Sequence, residues 1–144
     1  MGYSVPRTPK LLLVKVTLKR HAESFWVSQV GDDFAQVLHS LTRAEFDSFW
    51  SLTRTDNEMS LVSHMESHPS FQKSEGPWTL FEVDGVLDFG LVGILNSLTQ
   101  PMADSGISVF AVSTFNTDYI LVKADVADKA HAVWEASGFP VSTS

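Results

Sequence analysis

The clearest pattern along the chain is a pair of apolar segments joined by a short polar one. Residues 107–113 and 119–122 are rich in β-branched and aromatic side chains, as strands are. Between them, residues 114–118 include Asn116, which tolerates a positive φ, and side chains that can hydrogen-bond their own backbone. This pattern predicts a β-hairpin.

The segments around this hairpin alternate between strand and helix patterns. A strand is predicted over residues 78–84, and the apolar stripe of the helix after it consists of Leu91, Leu95, Leu98 and Met102. Pro101 lies inside that stripe, so we expect a kink or a break there. After the hairpin, Asp125 is predicted to cap a second helix, and residues 139–141 form a last strand. The order strand, helix, strand, strand, helix, strand is that of a split βαβ, ferredoxin-like unit.

The first half of the chain carries a weaker version of the same pattern. Residues 11–18 alternate as a strand, residues 19–24 are polar and predicted to form a loop, and residues 25–30 are either a short strand or a packed loop. A short helix capped by Asp32 or Asp33 is predicted to end at Leu41. A second hairpin is expected, with strands over residues 46–53 and 59–62.

The two hairpins match each other, which indicates an internal repeat. Residues 49–62 lie against residues 109–122 without a gap, with Glu58 opposite Asp118. We therefore expect two related units of about 60–70 residues each. The predicted division is a flexible arm at residues 1–9, a degenerate unit at 10–65, a polar linker at 66–77 and a second unit at 78–144.

The strands predicted at residues 107–113 and 119–122 are apolar on both faces. In an antiparallel sheet with one face in water, apolar and polar residues would alternate. One face carries Ile107, Val109, Ala111 and Ile120, and the other carries Phe110, Val112, Tyr119 and Leu121. Helices can cover only one of the two faces. The other must be shielded by the first unit or by a second copy of the chain, and on this ground we expect a homo-oligomer, most simply a dimer.

Composition and charge narrow the class of protein. The 144 residues are 44% hydrophobic, enough for a packed core. The formal net charge of −7 argues against nucleic acid and against an anionic membrane surface as partners. The absence of cysteine excludes disulfides, thiol nucleophiles and cysteine-based zinc sites. The sequence shows neither a targeting signal nor a membrane span, so a cytoplasmic location is expected.

Catalytic chemistry has little support in the sequence. None of the nucleophile-elbow or phosphate-loop motifs is present, so no catalytic residue is predicted. His64 and His68 are four residues apart, as metal ligands on a helix can be, but Pro69 follows and no third ligand is evident, so neither a metal nor a cofactor is predicted. The glycine-flanked turn at residues 85–90 either connects strand to helix or binds a carboxylate at the helix start. Asp118 is either a turn residue or the acceptor for a ligand's ammonium group.

These residues carry a resemblance to a known family. The second unit resembles an ACT domain of the aspartate-kinase type in residues 83–95, in residues 106–122 and in the motif Ser113, Thr114, Phe115, Asp118, Tyr119, Leu121 and Val122. The resemblance covers residues 78–141, and residues 49–62 resemble the matching hairpin of a first, degenerate unit. The same subfamily occurs in the animal cytosolic arginine sensor of the TOR pathway, which has four units where this chain has two.

The resemblance implies an α+β fold of two ferredoxin-like ACT units (βαββαβ), with antiparallel sheets and helices on one face. It also implies a regulatory module that binds a small ligand, commonly an amino acid, and is not an enzyme. A protein–protein adaptor that uses the ACT sheet without a ligand is the alternative, and a regulatory protein partner is compatible with both. By motif position the implied ligand contacts are Gly85, Val86, Leu87, Asp88, Phe89, Gly90, Val112, Ser113, Thr114, Phe115 and Asp118.

Overall fold

The computed structural model describes residues 16–43, 48–84 and 92–144. The strands and helices in these residues are β1 (Leu18–Val30), α1 (Phe34–Leu41), β2 (Ser51–Arg54), β3 (Met59–Ser63), β4 (Phe71–Val83), α2 (Ile94–Asp104), β5 (Phe110–Ser113), β6 (Asp118–Lys123), α3 (Ala127–Ala136) and β7 (Val141–Thr143). A short 3₁₀ helix, Ala124–Val126, leads from β6 into α3. Both predicted hairpins and the short helix that ends at Leu41 are therefore confirmed.

The described strands form one sheet in the order β2-β3-β1-β4-β6-β5, and β7 pairs in parallel with the start of β1. All other pairings are antiparallel. The mixed α+β architecture with a mostly antiparallel sheet agrees with ferredoxin-like units. The sheet runs through both halves of the chain because β1 and β4, of 13 residues each, pair along their length and have different outer neighbours at their two ends.

Two segments predicted as irregular are strands. Residues 19–24, predicted as a loop, belong to β1, and residues 71–77 of the expected linker belong to β4. Both segments are polar, and residues 22–24 and 72–77 are exposed. Strand pairing is made by backbone groups, so a segment with exposed side chains still completes a ladder when an apolar strand lies beside it. The strand expected over residues 11–18 lies mostly outside the described residues.

Helix α2 continues through Pro101 to Asp104, so the break that was one of the two expectations there does not occur. Its end is closed at Gly106, where φ is 71° and the backbone N–H of Ile107 donates to the carbonyl of Met102 at 2.8 Å. This Schellman arrangement satisfies the carbonyls of Met102 and Ala103 in the last turn. Asp125 does not cap α3 as predicted, because it lies in the 3₁₀ helix and α3 begins at Ala127.

The core has three parts. The largest lies between the sheet and helices α2 and α3, where the fully buried ring of Trp134 contacts that of Phe81 at 4.8 Å between centroids. A second cluster covers the opposite face of β4 and β6 and consists of Phe25, Val62, Trp78, Leu80 and Leu121. A third lies under α1 and includes Val37, Leu41 and Leu61.

The second cluster shows what covers the far face of the β5–β6 hairpin. Phe25 and Val62 come from the first half of the chain, and the ring of Phe49 lies 4.6 Å from that of Tyr119. The first half therefore shields part of this face, which was one of the two coverings expected. The homo-oligomer remains a prediction. No helix in residues 16–43, 48–84 and 92–144 combines the length and the apolar character needed to cross a membrane.

Candidate functional site

The predicted site centres on the end of the β5–β6 hairpin, where Ser113 and Asp118 form the last pair of the ladder. The hydroxyl of Ser113 donates a hydrogen bond to Oδ1 of Asp118 at 2.6 Å. A hydrogen bond to a carboxylate is stronger than one between neutral groups. An ionised carboxylate accepts about four hydrogen bonds, so Asp118 retains capacity for a ligand.

The turn beyond this pair is closed by a threonine. The backbone N–H of Thr114 donates to the carbonyl of Thr117 at 2.8 Å, and the hydroxyl of Thr114 donates to the same carbonyl at 3.1 Å. Side chains of this kind that bond their own backbone fix a turn without a positive φ. Among the described residues, positive φ occurs only at glycines, so Asn116 does not use the left-handed conformation that its position in the sequence allows.

Thr117 links the hairpin to the next strand. The residue is 6% exposed, and its hydroxyl donates to the carbonyl of Val83 at 2.7 Å. Val83 is the last residue of β4, and the N–H of Asp84 donates to the carbonyl of Thr17 at 2.9 Å. The end of the hairpin is therefore held beside the point where the chain leaves β4 towards α2. The sequence analysis did not predict this bond between the turn and β4.

The other predicted ligand contacts divide into two groups. Val112 is half-buried in β5, and Phe115 lies at the tip of the hairpin with 82% of its surface exposed. Residues 85–90, which carry the predicted contacts Gly85, Val86, Leu87, Asp88, Phe89 and Gly90, lie outside the described residues. The structure thus brings Ser113 and Asp118 together, and Thr117 between them and the tip of the hairpin bonds to Val83 at the end of β4.

The β2–β3 hairpin has a turn of the same construction. The N–H of Thr55 donates to the carbonyl of Glu58 at 2.9 Å, and the N–H of Glu58 donates to the Thr55 hydroxyl at 3.1 Å. In the second turn Thr114 and Thr117 make the corresponding bonds. Thr55 and Thr114 are 59 positions apart, whereas the sequence match placed Glu58 opposite Asp118, 60 positions away.

The correct offset of the repeat is 59, because the faces of the sheet agree with it. Val62 and Leu121 lie in the same cluster on the face opposite the helices, and both are buried. Leu61 and Ile120, one residue earlier in each strand, lie in the clusters that contain the helices. An offset of 60 would place Leu61 opposite Leu121, on the wrong face. Glu58 therefore corresponds to Thr117, and the residue that corresponds to Asp118 is Met59.

On the face of the β5–β6 hairpin opposite the helices, the pKa of Tyr119 is shifted by its surroundings. Burial, and secondly the negative charge of Glu82, raise the pKa of Tyr119 above its usual value of 10.0. Oε1 of Glu82 also accepts a hydrogen bond from Nε2 of His21 at 3.0 Å. Across residues 16–43, 48–84 and 92–144, no three His, Asp or Glu side chains come close enough together to hold a metal ion.

The region that contains this site has relatives among known families. Residues 73–133 match an ACT domain. That segment runs from β4 through most of α3 and includes the whole hairpin with Ser113, Thr117 and Asp118. The match supports the ferredoxin-like order read from the sequence for the second unit.

Individual relatives extend the similarity beyond the ACT match. The human protein CASTOR3P is 34% identical over 110 residues, an alignment that covers 67% of this chain and 66% of the human protein. The crystal structure of an Agobacterium tumefaciens protein superposes with a TM-score of 0.75 at 26% identity, and covers 91% of this chain and 95% of that one.

A third relative shows the fold alone, because its sequence identity is low. The regulatory subunit of aspartate kinase from Thermus flavus has a TM-score of 0.59 at 11% identity and covers 86% of this chain and 97% of that one. The shared fold therefore includes the first half of the chain, which the ACT match leaves out.

Proposed function

We propose that this chain is a regulatory module that binds an amino acid or a similar small molecule at the β5–β6 hairpin and has no catalytic activity of its own. The observation that carries the proposal is the Ser113–Asp118 pair, whose hydrogen bond is 2.6 Å long. Thr117 holds this pair beside the end of β4. A carboxylate fixed in this way accepts hydrogen bonds from an ammonium group without first having to be ordered.

The rest of the proposed site is the turn at residues 85–90. Helix α2 begins beyond this turn, at Ile94, so a ligand carboxylate would be bound by the turn and not by the helix start. A turn with a glycine at each end lets backbone N–H groups approach such a carboxylate closely. Together with Asp118, this gives complementary positions for the two charged ends of an amino acid. The ACT match over residues 73–133 and the fold shared with a regulatory subunit of aspartate kinase support the regulatory role.

The proposal includes a cytoplasmic homodimer in which a second copy completes the site. Phe115, with 82% of its surface exposed, stands at the tip of the same hairpin as the Ser113–Asp118 pair. Among the described strands, β5 is the last of the sheet on that side. An exposed aromatic ring beside an edge strand is a surface that a second chain can cover. Arginine is the first amino acid to test, because of the resemblance to arginine-binding ACT proteins.

Thermal unfolding in the presence of each of the twenty amino acids tests the proposal. A ligand at about one hundred times its Kd stabilises the native state by about 2.7 kcal/mol. Asp118→Asn and Ser113→Ala should each weaken the effective ligand about tenfold, the loss expected for a hydrogen bond to a charged group. The matched control is Asp125→Asn, because Asp125 is an exposed carboxylate in the 3₁₀ helix at the other end of β6.

The proposal would be wrong if none of the amino acids stabilised the protein at millimolar concentration. It would also be wrong if Asp125→Asn weakened binding as much as Asp118→Asn, because the ligand would then respond to net charge and not to this carboxylate.

The exposure of Phe115 also favours a second candidate, a protein–protein adaptor that needs no ligand. In that case a purified partner protein should lose binding on Phe115→Ser and retain it with Asp118→Asn. Loss of partner binding with Asp118→Asn alone, restored by an amino acid in the wild type, would exclude the adaptor in favour of the ligand-dependent module.

A further inference from the structure

A cavity of about 300 Å³ lies in the first half of the chain, away from the β5–β6 hairpin. It is bounded by the end of β1, the start of α1 and the β2–β3 turn, and its apolar part is formed by Val30, Phe34 and Met59. Its volume is at the lower end of the range of about 300–1,000 Å³ typical of small-molecule pockets. A molecule with a short aliphatic chain would fill it.

The walls of this cavity are fixed before any ligand arrives. The Thr55 hydroxyl accepts from the N–H of Asn57 at 3.2 Å and from that of Glu58 at 3.1 Å, which holds the turn closed. On the opposite side, the N–H of Gly31 donates to the carbonyl of Ser70 at 2.8 Å. A preformed pocket binds a small ligand without the entropic cost of ordering its own walls.

The charged groups around the opening determine which ligand fits. Asp32, Asp56 and Glu58 line the cavity together with a single cation, Arg54, so its lining has two more negative than positive charges. Within the part of the chain that the structure describes, none of these four side chains forms an ion pair or a side-chain hydrogen bond. The carboxylates are therefore available to a ligand, and their excess selects against anions.

We propose that this cavity binds a small organic cation that carries primary ammonium groups on a short aliphatic chain. The chain of the ligand lies against Val30, Phe34 and Met59, and its ammonium groups are bound by Asp56 and Glu58 of the turn and by Asp32. The site is distinct from the one proposed at Ser113 and Asp118, and the inference does not depend on that one binding anything.

The probe is 1,5-diaminopentane, titrated into the full chain and followed by calorimetry and by the backbone amide shifts of residues 54–59. Glutarate has the same number of carbon atoms but ends in two carboxylates, and it should not bind. Asp56→Asn and Glu58→Gln should each weaken the diamine about tenfold, as expected for a charge-assisted hydrogen bond. Arg54→Gln should tighten binding several-fold, because it removes a like charge from the cavity lining.

Two control variants separate the cavity from general attraction to an acidic protein. Glu66→Gln removes an exposed carboxylate of the β3–β4 connection, and Asp125→Asn removes an exposed carboxylate of the 3₁₀ helix; neither residue lines the cavity. Both should leave the diamine affinity within a factor of two of the wild type. The inference fails if the diamine does not bind at millimolar concentration, if glutarate binds equally well, or if Glu66→Gln weakens binding as much as Glu58→Gln.

Discussion

The contact between Thr117 and β4 makes a sharp prediction, because a single buried hydroxyl ties the hairpin to the neighbouring strand. Thr117→Val keeps the β-branched shape and the side-chain size but removes the donor to the carbonyl of Val83, 2.7 Å away. At 6% exposure, water does not readily replace that donor. Leaving a buried carbonyl unsatisfied costs about 1–3 kcal/mol, so we expect the free energy of unfolding to fall by about 2 kcal/mol.

Urea denaturation gives this change directly, and in thermal unfolding it corresponds to a fall in Tm of about 6 °C for a chain of this size. Thr117→Ser retains the hydroxyl and should recover most of the loss. Thr53→Val is the matched control, because Thr53 is exposed on β2 and the same replacement there should change stability by less than about 0.5 kcal/mol. The reasoning is refuted if Thr117→Val is as stable as the wild type, or if Thr117→Ser is no more stable than Thr117→Val.

Two further predictions concern the interior of the sheet. Gly76→Ala should lower the free energy of unfolding, measured by urea denaturation, by about 2 kcal/mol. The added Cβ would lie 2.8 Å from the carbonyl oxygen of Phe25 and 2.5 Å from Cδ1 of Trp26. A stability equal to the wild type would show that β1 and β4 separate easily there. The pKa of Tyr119 is raised in the folded state, so the wild type should lose stability as the pH rises above 10.0, the unfolded value. Tyr119→Phe should flatten that part of a stability profile measured by urea denaturation from pH 8 to 11, and an unchanged slope would contradict the prediction.

Most of the second unit could be predicted from the sequence because its signals are local. Apolar periodicity located α2 and the strands of the β5–β6 hairpin, and turn chemistry located the polar residues between them. The hydrogen-bonded partnership of Ser113 and Asp118 also follows from a short hairpin, because the two residues are five positions apart.

Features that depend on distant contacts could not be predicted in this way. The extensions of β1 through residues 19–24 and of β4 through residues 71–77 are polar, and they are strands because each pairs with the other over its whole length. The bond from Thr117 to Val83 joins residues 34 positions apart, and only the assembled sheet brings them together. The six predicted contacts in residues 85–90 remain predictions.

The offset of the internal repeat has a chemical consequence for the two hairpins. With an offset of 60, Glu58 would occupy the position equivalent to Asp118, and both units would offer a ligand a carboxylate at that position. With the observed offset of 59, Arg54 takes the place of Ser113 and Met59 takes that of Asp118. The first hairpin thus has a guanidinium group and an apolar side chain where the second has a hydroxyl and a carboxylate. A ligand whose ammonium group is bound by Asp118 has no equivalent acceptor at Met59, so it should bind one unit of each chain and not both.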